Sequence, residues 1–311
     1  MLRKARTEKR YDLVFRQEMR ILYNTFIEFF DLRKIYCFFL SKLLFGYFHQ
    51  MPKSAFPPLY VARHSIEEFG SKSNIYALVL NVRNEGERLA NQLERLRQYR
   101  SCVDIVVSDA PSSDGSTHSV RLRKAGVTAL ISLLEPGRYS ASALAAFAHC
   151  RDRGYRGVIL MDGNDKDDPE AIPRFVMRLD EDFDFIQGSR YIDGGKAIRM
   201  PATRDFLIRM VHAPIFSFLC GWRFTDTTNG FRACSMKLLC SPQVSPFRSV
   251  FKGYDIVFYL PWAACRYGFR VTEIPVTRAY PADGTVPSHL NSVIGYWRML
   301  RPLLMLATRR F

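Results

Sequence analysis

The stretch "LMDGNDKDDPE", Leu160–Glu170, holds five acids in eleven residues and follows directly on an apolar run. Carboxylates and a side-chain amide at this density are the hard oxygen ligands of a divalent cation, whose other partner would be a phosphorylated ligand. The same residues suit a solvated turn in which Asp167 or Asp168 caps a helix opening at Pro169. Two more polar clusters have a similar setting: Asn84-Glu85 after "IYALVLN" (75–81), and Asp109 at the end of "VDIVVSD" (103–109). Carboxylates and amides match the hydroxyls and base edges of a nucleotide, although Pro-Ser and Asp-Gly after Asp109 also favour a turn.

The elements that must position these clusters alternate regularly. Apolar strands are expected at 75–81, 103–109, 127–134, 157–162 and 183–188, separated by the helical stretches "GERLANQLERLRQY", "VRLRKAG", "SALAAFAHCRDRG" and "DPEAIPRFVMRLD". Continuous apolar strands between helices predict an α/β fold with a mostly parallel sheet covered on both faces. Ligands of such sheets bind at the carboxyl ends of the strands, which is where all three clusters fall. Helices ending at Gly221 and Gly268 and an alternating strand in "FRVTEIPVTRAY" complete the pattern.

The 311 residues suffice for one large core or two smaller ones, and an apolar share of 48% excludes wholesale disorder. With 45 Lys/Arg against 30 Asp/Glu, the net +15 points to an anionic partner: nucleic acid, anionic lipid or nucleotide-sugar phosphate. Nucleic acid is not expected, because zinc-finger spacing and RNP-like aromatic motifs are missing and the bases gather at the chain ends. The seven cysteines are scattered without a C-x-x-C pair and fit a reducing compartment. "MLRKARTEKRYD" does not read as a secretory signal. The longest apolar run, "IYCFFLSKLLFGYF", has fourteen residues including Lys42, short of the ~20 that span a bilayer.

Residues 1–53 form a basic, aromatic segment of helical periodicity, with eleven Lys/Arg against five Asp/Glu, a balance of +6. Residues 54–73 read as a proline-rich linker, 74–280 as the α/β domain and 281–311 as a loop and an amphipathic basic helix.

The ordered series of strand–"NE", strand–Asp, strand–Gly-Arg, strand–"MDGN", then "GSRY" (188–191) and "DTTNGFRA" (226–233) resembles family 2 glycosyltransferases. It is most similar to their polyprenyl-phosphate (dolichyl-phosphate) sugar transferase branch, over about Asn74 to Val276. The resemblance implies a GT-A, Rossmann-like sheet flanked by helices, here with an added N-terminal helical segment, and a UDP- or GDP-sugar donor. The implied donor contacts are Asn84, Glu85, Asp109, Asp114, Gly137, Arg138, Asp162, Gly163 and Asn164. Asp162 matches the first carboxylate of the Asp-x-Asp segment that holds Mg²⁺ or Mn²⁺ against the diphosphate. Asn164 stands at the second, where an amide ligates without adding charge. Asp165 and Asp167 are then compensating acids or only a polar helix entry, and Lys166 or Arg138 is placed to take over part of the metal's work. Arg190, Arg204 and Arg232 are the implied phosphate and acceptor contacts, since arginine grips phosphate bidentately. Asn81, Ser108 and Asn164 depart from the family pattern, which leaves a catalytically impaired relative as one alternative.

The branch inverts, so the acceptor oxygen attacks the anomeric carbon in line. A lipid phosphate attacks as the anion it already is, whereas a hydroxyl needs a carboxylate base. Asp226 and Asp255 are the candidate bases, and with Asp162 they make up the expected catalytic set; Asp255 equally suits a helix cap. The implied acceptor is lipid-linked, a polyprenyl phosphate or glycolipid. Both chain ends read as interfacial anchors to an anionic membrane, which makes the chain a peripheral protein of the cytoplasmic face. Packing of those helices on the domain, or a homo-oligomer, is the competing reading for the ends. A nucleotidyltransferase would need a Gly-rich phosphate loop that is missing, and a basic nucleic-acid or assembly protein is the alternative from another class.

Overall fold

The computed structural model describes residues 60–135, 139–281, 293–308 and 311. The expected helical segment 1–53, and Gly137 and Arg138 of the site, lie outside the described residues. The strands are β1 (His64–Glu68), β2 (Tyr76–Val82), β3 (Asp104–Asp109), β4 (Ala129–Leu133), β5 (Gly157–Asp162), β6 (Phe185–Ser189), β7 (Lys196–Ile198), β8 (Arg232–Ser235), β9 (Val271–Pro275) and β10 (Thr277–Ala279). The main helices are α1 (Glu87–Leu96), α2 (Ser119–Lys124), α3 (Tyr139–Asp152), α4 (Ile172–Asp180), α5 (Ala202–Leu207), α6 (Ala213–Cys220), α7 (Asp255–Arg266) and α8 (Val293–Ala307).

Eight strands form one sheet in the order β1-β4-β3-β2-β5-β8-β6-β9, with β1 and β8 antiparallel to their neighbours and the other pairings parallel. β2 lies at its middle with all seven residues buried, the continuous apolar pattern of a strand covered on both faces. Its alternate residues serve two cores. Ala77 and Val79 face α3 and α7, while Leu78, Leu80 and Val82 pack with Leu89, Leu93 and Leu96 of α1. The register sets Asn81 of β2 beside Ser108 of β3 and Asp162 of β5, so the polar strand ends line up along one edge.

The expected linker 54–73 contains β1, whose sequence HSIEE is exposed beyond its first residue and has no apolar run to mark it. The expected strand in "FRVTEIPVTRAY" is two strands. Pro275 has no N–H to continue the ladder, and β10 leaves the main sheet to pair in parallel with β7. The terminal helix α8 buries Leu303 and Leu306 in the core shared with α7, leaving Leu300 and Leu304 exposed.

Candidate active site

β5 delivers Asp162 to the strand-end edge, and the turn after it is tightly constrained. A Cβ on Gly163 would lie 2.8 Å from Val82 Cγ2, and Asp165 takes a left-handed φ of 56°, which Asp tolerates better than most residues. The turn is zipped to β10: Asp168 N donates to Thr277 O at 3.0 Å and Ala279 N to Lys166 O at 2.8 Å. This backbone pairing points Arg278 inward. Its buried guanidinium donates to Asp162 Oδ2 at 2.7 Å and to Asp167 Oδ2 at 2.5 Å, spanning two carboxylates.

Burial works against the charged form of both acids. For Asp162, Arg278 and Lys166 outweigh it and hold the carboxyl below the usual range. For Asp167, which is fully buried and also faces Asp162, burial wins and the carboxyl is pushed up. Lys166 is buried too, and desolvation with the nearby Arg278 brings its ammonium down to about 8. Lys166 lies 5.5 Å and Arg204 5.8 Å from the ring centre of Tyr280. The amide of Asn164 donates to Asp162 Oδ2 at a long 3.5 Å. Asn164 Oδ1 and Asp167 Oδ1 are buried without a hydrogen-bond donor.

The loops after β2 and β3 are knitted to each other. Asn84, at a left-handed φ of 53°, accepts from Ser113 N at 2.8 Å, and its own N–H donates to Ser112 Oγ at 2.9 Å. Asp109 accepts from Ser112 Oγ (2.6 Å) and Thr117 Oγ1 (3.2 Å). Asp114 accepts from Gly86 N (2.8 Å) and from Ser116 Oγ and N; slight burial opposes ionisation there, and these bonds outweigh it and lower the carboxyl. Glu85 is gripped by Arg88 at 2.9–3.0 Å, yet burial keeps its carboxyl raised. Ser108 is turned away from this edge and bonds to Ser142 of α3.

The segments at 188–191 and 226–230 build a brace. Arg190 Nε and Nη2 donate to the two oxygens of Asp226 at 2.6 and 2.8 Å, and Thr228 Oγ1 takes a further bond. Asp226 is fully buried; burial opposes its charge, but Arg190 outweighs this and the carboxyl is lowered. Glu273 accepts from Thr225 N, Thr225 Oγ1 and Asp226 N, at 2.7 to 3.2 Å. Its burial prevails over those bonds and pushes the carboxyl up to about 7. Arg232 is buried and donates to the carbonyls of Val257 and Asn229. Arg190 and Arg232, expected as phosphate contacts, thus have internal partners; Arg204, against Tyr280 beside Lys166, is placed at the acidic turn. The whole segment presses on the site at Gly230, where a Cβ would sit 2.9 Å from Asp162 Oδ1.

Asp255, an expected base that equally suited a helix cap, is placed at a helix start. It is 1% exposed at the start of α7, accepting from Lys252 N at 2.8 Å and paired through both oxygens with Arg301 of α8 at 2.9 Å. This is the helix-start geometry, joined to an interhelical ion pair. Arg278 was not singled out in the sequence, though one signal was available: Ile274, Val276, Arg278 and Tyr280 share the buried parity of their strands.

Among the described residues, groups of three or more His, Cys, Asp or Glu able to hold a metal are absent. A smaller oxygen set does fit a hard cation: Asp162 carries charge, and the undonated Asn164 Oδ1 and Asp167 Oδ1 are the buried oxygens such an ion seeks.

A parallel sheet with acidic and amide groups along its carboxyl edge, and an antiparallel β8 beside the acidic strand, is the arrangement of GT-A nucleotide-sugar transferases. Residues 78–240 match the sequence profile of Glycosyl transferase family 2, and the chain belongs to that family; it is a glycosyltransferase. It is 30% identical over 203 residues to a polyprenol monophosphomannose synthase of Mycolicibacterium smegmatis, covering 64% of this chain and 76% of that protein. It is 29% identical over 202 residues to an undecaprenyl-phosphate mannosyltransferase of Micrococcus luteus, covering 64% and 81%. Among solved structures, glucosyl-3-phosphoglycerate synthase from Mycobacterium tuberculosis, in complex with Mn²⁺, UDP and glucosyl-3-phosphoglycerate, aligns with a TM-score of 0.51 at 16% identity. That alignment covers 76% of this chain and 79% of the synthase, a likeness of fold. Mannosyl-3-phosphoglycerate synthase from Rubrobacter xylanophilus gives 0.50 at 15% identity, covering 76% and 73%.

Proposed function

We propose that the chain transfers a sugar, with inversion, from a UDP- or GDP-sugar to a polyprenyl phosphate at a membrane surface. The observation that carries this reading is the state of the two candidate bases. Asp226 is clasped by Arg190 and Asp255 by Arg301; both are buried, and each of their four oxygens already accepts from an arginine. An acceptor hydroxyl needs such a base; a phosphate is anionic at neutral pH and attacks without one. The names of the two relatives above, one acting on undecaprenyl phosphate and one making a polyprenol monophosphomannose, support the same class of acceptor.

On this reading the loops at Asn84–Gly86 and Asp109–Thr117 frame the base and ribose, with Gly137 and Arg138 contributing from the neighbouring segment. Asp162, Gly163 and Asn164 lie under the diphosphate, and Lys166, Arg204 and Arg278 are the cations nearest to it. A divalent ion, Mn²⁺ as in the solved neighbour or Mg²⁺, bound at Asp162 and Asn164 would neutralise charge on the leaving diphosphate. Arg190 and Asp226 hold the 226–230 segment against Asp162 and touch neither substrate.

Membrane association is supported by the net +15 and by exposed Phe206, Ile215 and Leu304 on α5, α6 and α8. Among the described residues no helix is long and apolar enough to cross a bilayer. Residues 1–53 are assigned a part in this surface contact, and the cytoplasmic face is where nucleotide sugars are to hand. A donor screen with and without Mn²⁺ tests the reading, with undecaprenyl phosphate and undecaprenol as paired acceptors. Transfer to the phosphate alone is expected. Turnover of no nucleotide sugar, or equal transfer to the alcohol, would overturn it.

A further inference from the structure

Each carboxylate around the acidic turn that is at least partly buried already faces a cation, and only the exposed Glu170 is outside this set. Arg88 holds Glu85, Arg95 holds Asp165 and Asp168, and Arg278 spans Asp162 and Asp167. Lys166, itself buried, interacts directly with the charges of Asp162 and Asp167, and Arg204 stands close to Lys166. Around Asp162 these five acids thus meet five bases, and the cluster they form has no net charge with which to attract a cation. The ligating atoms are nevertheless in place, since Asn164 Oδ1 and the fully buried Asp167 Oδ1 have no donor.

A divalent ion arriving alone would enter a neutral, partly desolvated cluster and share Asp162 with a guanidinium 2.7 Å away. Charge repulsion in such surroundings is far stronger than in water. A diphosphate arriving first reverses the balance, because it adds negative charge beside Arg278 and Lys166 and supplies oxygens for the metal. From this geometry we infer that Arg278 is a resident counter-ion which makes metal binding conditional on a diphosphate-bearing ligand. It acts through Asp162 and Asp167, as a positioning residue that sets binding order. The inference rests on the proposal that a donor diphosphate lies over Asp162.

The test measures Mn²⁺ binding to the full chain, by electron paramagnetic resonance of free Mn²⁺ and by calorimetry, without turnover. Inorganic pyrophosphate is the probe, and titrations are corrected for Mn–pyrophosphate association in solution. Pyrophosphate is expected to tighten Mn²⁺ binding to the wild type by roughly 30-fold or more, within the ordinary range of coupling between sites. Arg278→Met is expected to tighten Mn²⁺ binding to the empty site by about tenfold and to shrink that coupling to about threefold or less. Arg278→Lys keeps the charge but reaches one carboxylate only, so it should fall between the two and serves where the Met variant does not fold. Equal Mn²⁺ affinity with and without pyrophosphate in the wild type would overturn the inference, as would unchanged coupling in both variants. Intact coupling in a chain that transfers no sugar would uphold the inference while removing the proposed activity. Sugar transfer without coupling would do the reverse.

Discussion

Two Arg–Asp contacts in this chain are built from the same groups and differ in what surrounds them. Arg190 and Asp226 meet bidentately at 2.6 and 2.8 Å, and the leftover donors and acceptors are taken by Thr228 and the backbone of Arg190. Arg278 instead divides its fork between Asp162 and Asp167, leaving one oxygen of Asp167 and one of Asn164 without a donor. A fully satisfied buried pair rigidifies a fold, whereas an incompletely satisfied one at a ligand edge marks where something else binds. Charge type alone does not separate brace from site; the hydrogen-bond accounting does.

The comparison breaks first at the brace. Arg190→Met should destabilise the fold by about 3–5 kcal/mol, because it strands a buried carboxylate; urea denaturation measures it. Asp162→Ala should cost less stability, because Arg278 keeps Asp167 as a partner, and should cut kcat by about 10²–10³, the usual loss when one transition-state electrostatic group goes. If the two variants exchanged these signatures, the division of roles would be wrong.

Gly230→Ala probes the joint between the two regions. Its Cβ would meet Asp162 Oδ1 at 2.9 Å, so a cost of about 1–3 kcal/mol in transition-state or folding free energy is expected, read from kcat/KM and melting together.

A smaller effect concerns pH. Burial raises Glu273 from 4.5 to about 7, so between these values the folded chain keeps a proton that the unfolded chain has released. Its contribution to stability is fully present below about 4.5 and is lost as pH rises through about 7. Melting temperature should therefore fall across that window, and Glu273→Gln should flatten the slope. The smallest change is expected for Arg95→Ala, whose partly exposed pairs with Asp165 and Asp168 are worth about 1 kcal/mol or less.

Much of the site's scaffold was legible because central parallel strands leave unbroken apolar runs. β2, β3 and β5 could be read to within a residue or two, and Asp162 was placed at its strand end. What escaped was polar or long-range. β1 is an exposed edge strand, and β8 has four residues between loops. Arg278 reaches Asp162 across 116 positions, through a three-residue strand displaced by Pro275. The motif arginines Arg190 and Arg232 were visible as residues but not as partners, because sequence order does not reveal which carboxylate or carbonyl lies opposite. The bland reading of Asp255, a helix start, matched its local bonds, and Arg301 added a contact from a distant helix.

The most direct measurement of the central claim is the pH dependence of sugar transfer to undecaprenyl phosphate, set against undecaprenol. The rate on the phosphate should rise with its second ionisation at about 6 and stay level until Lys166 loses its proton at about 8, with no transfer to the alcohol at any pH. Comparable transfer to undecaprenol, rising with the ionisation of a protein carboxylate, would contradict an acceptor that needs no base.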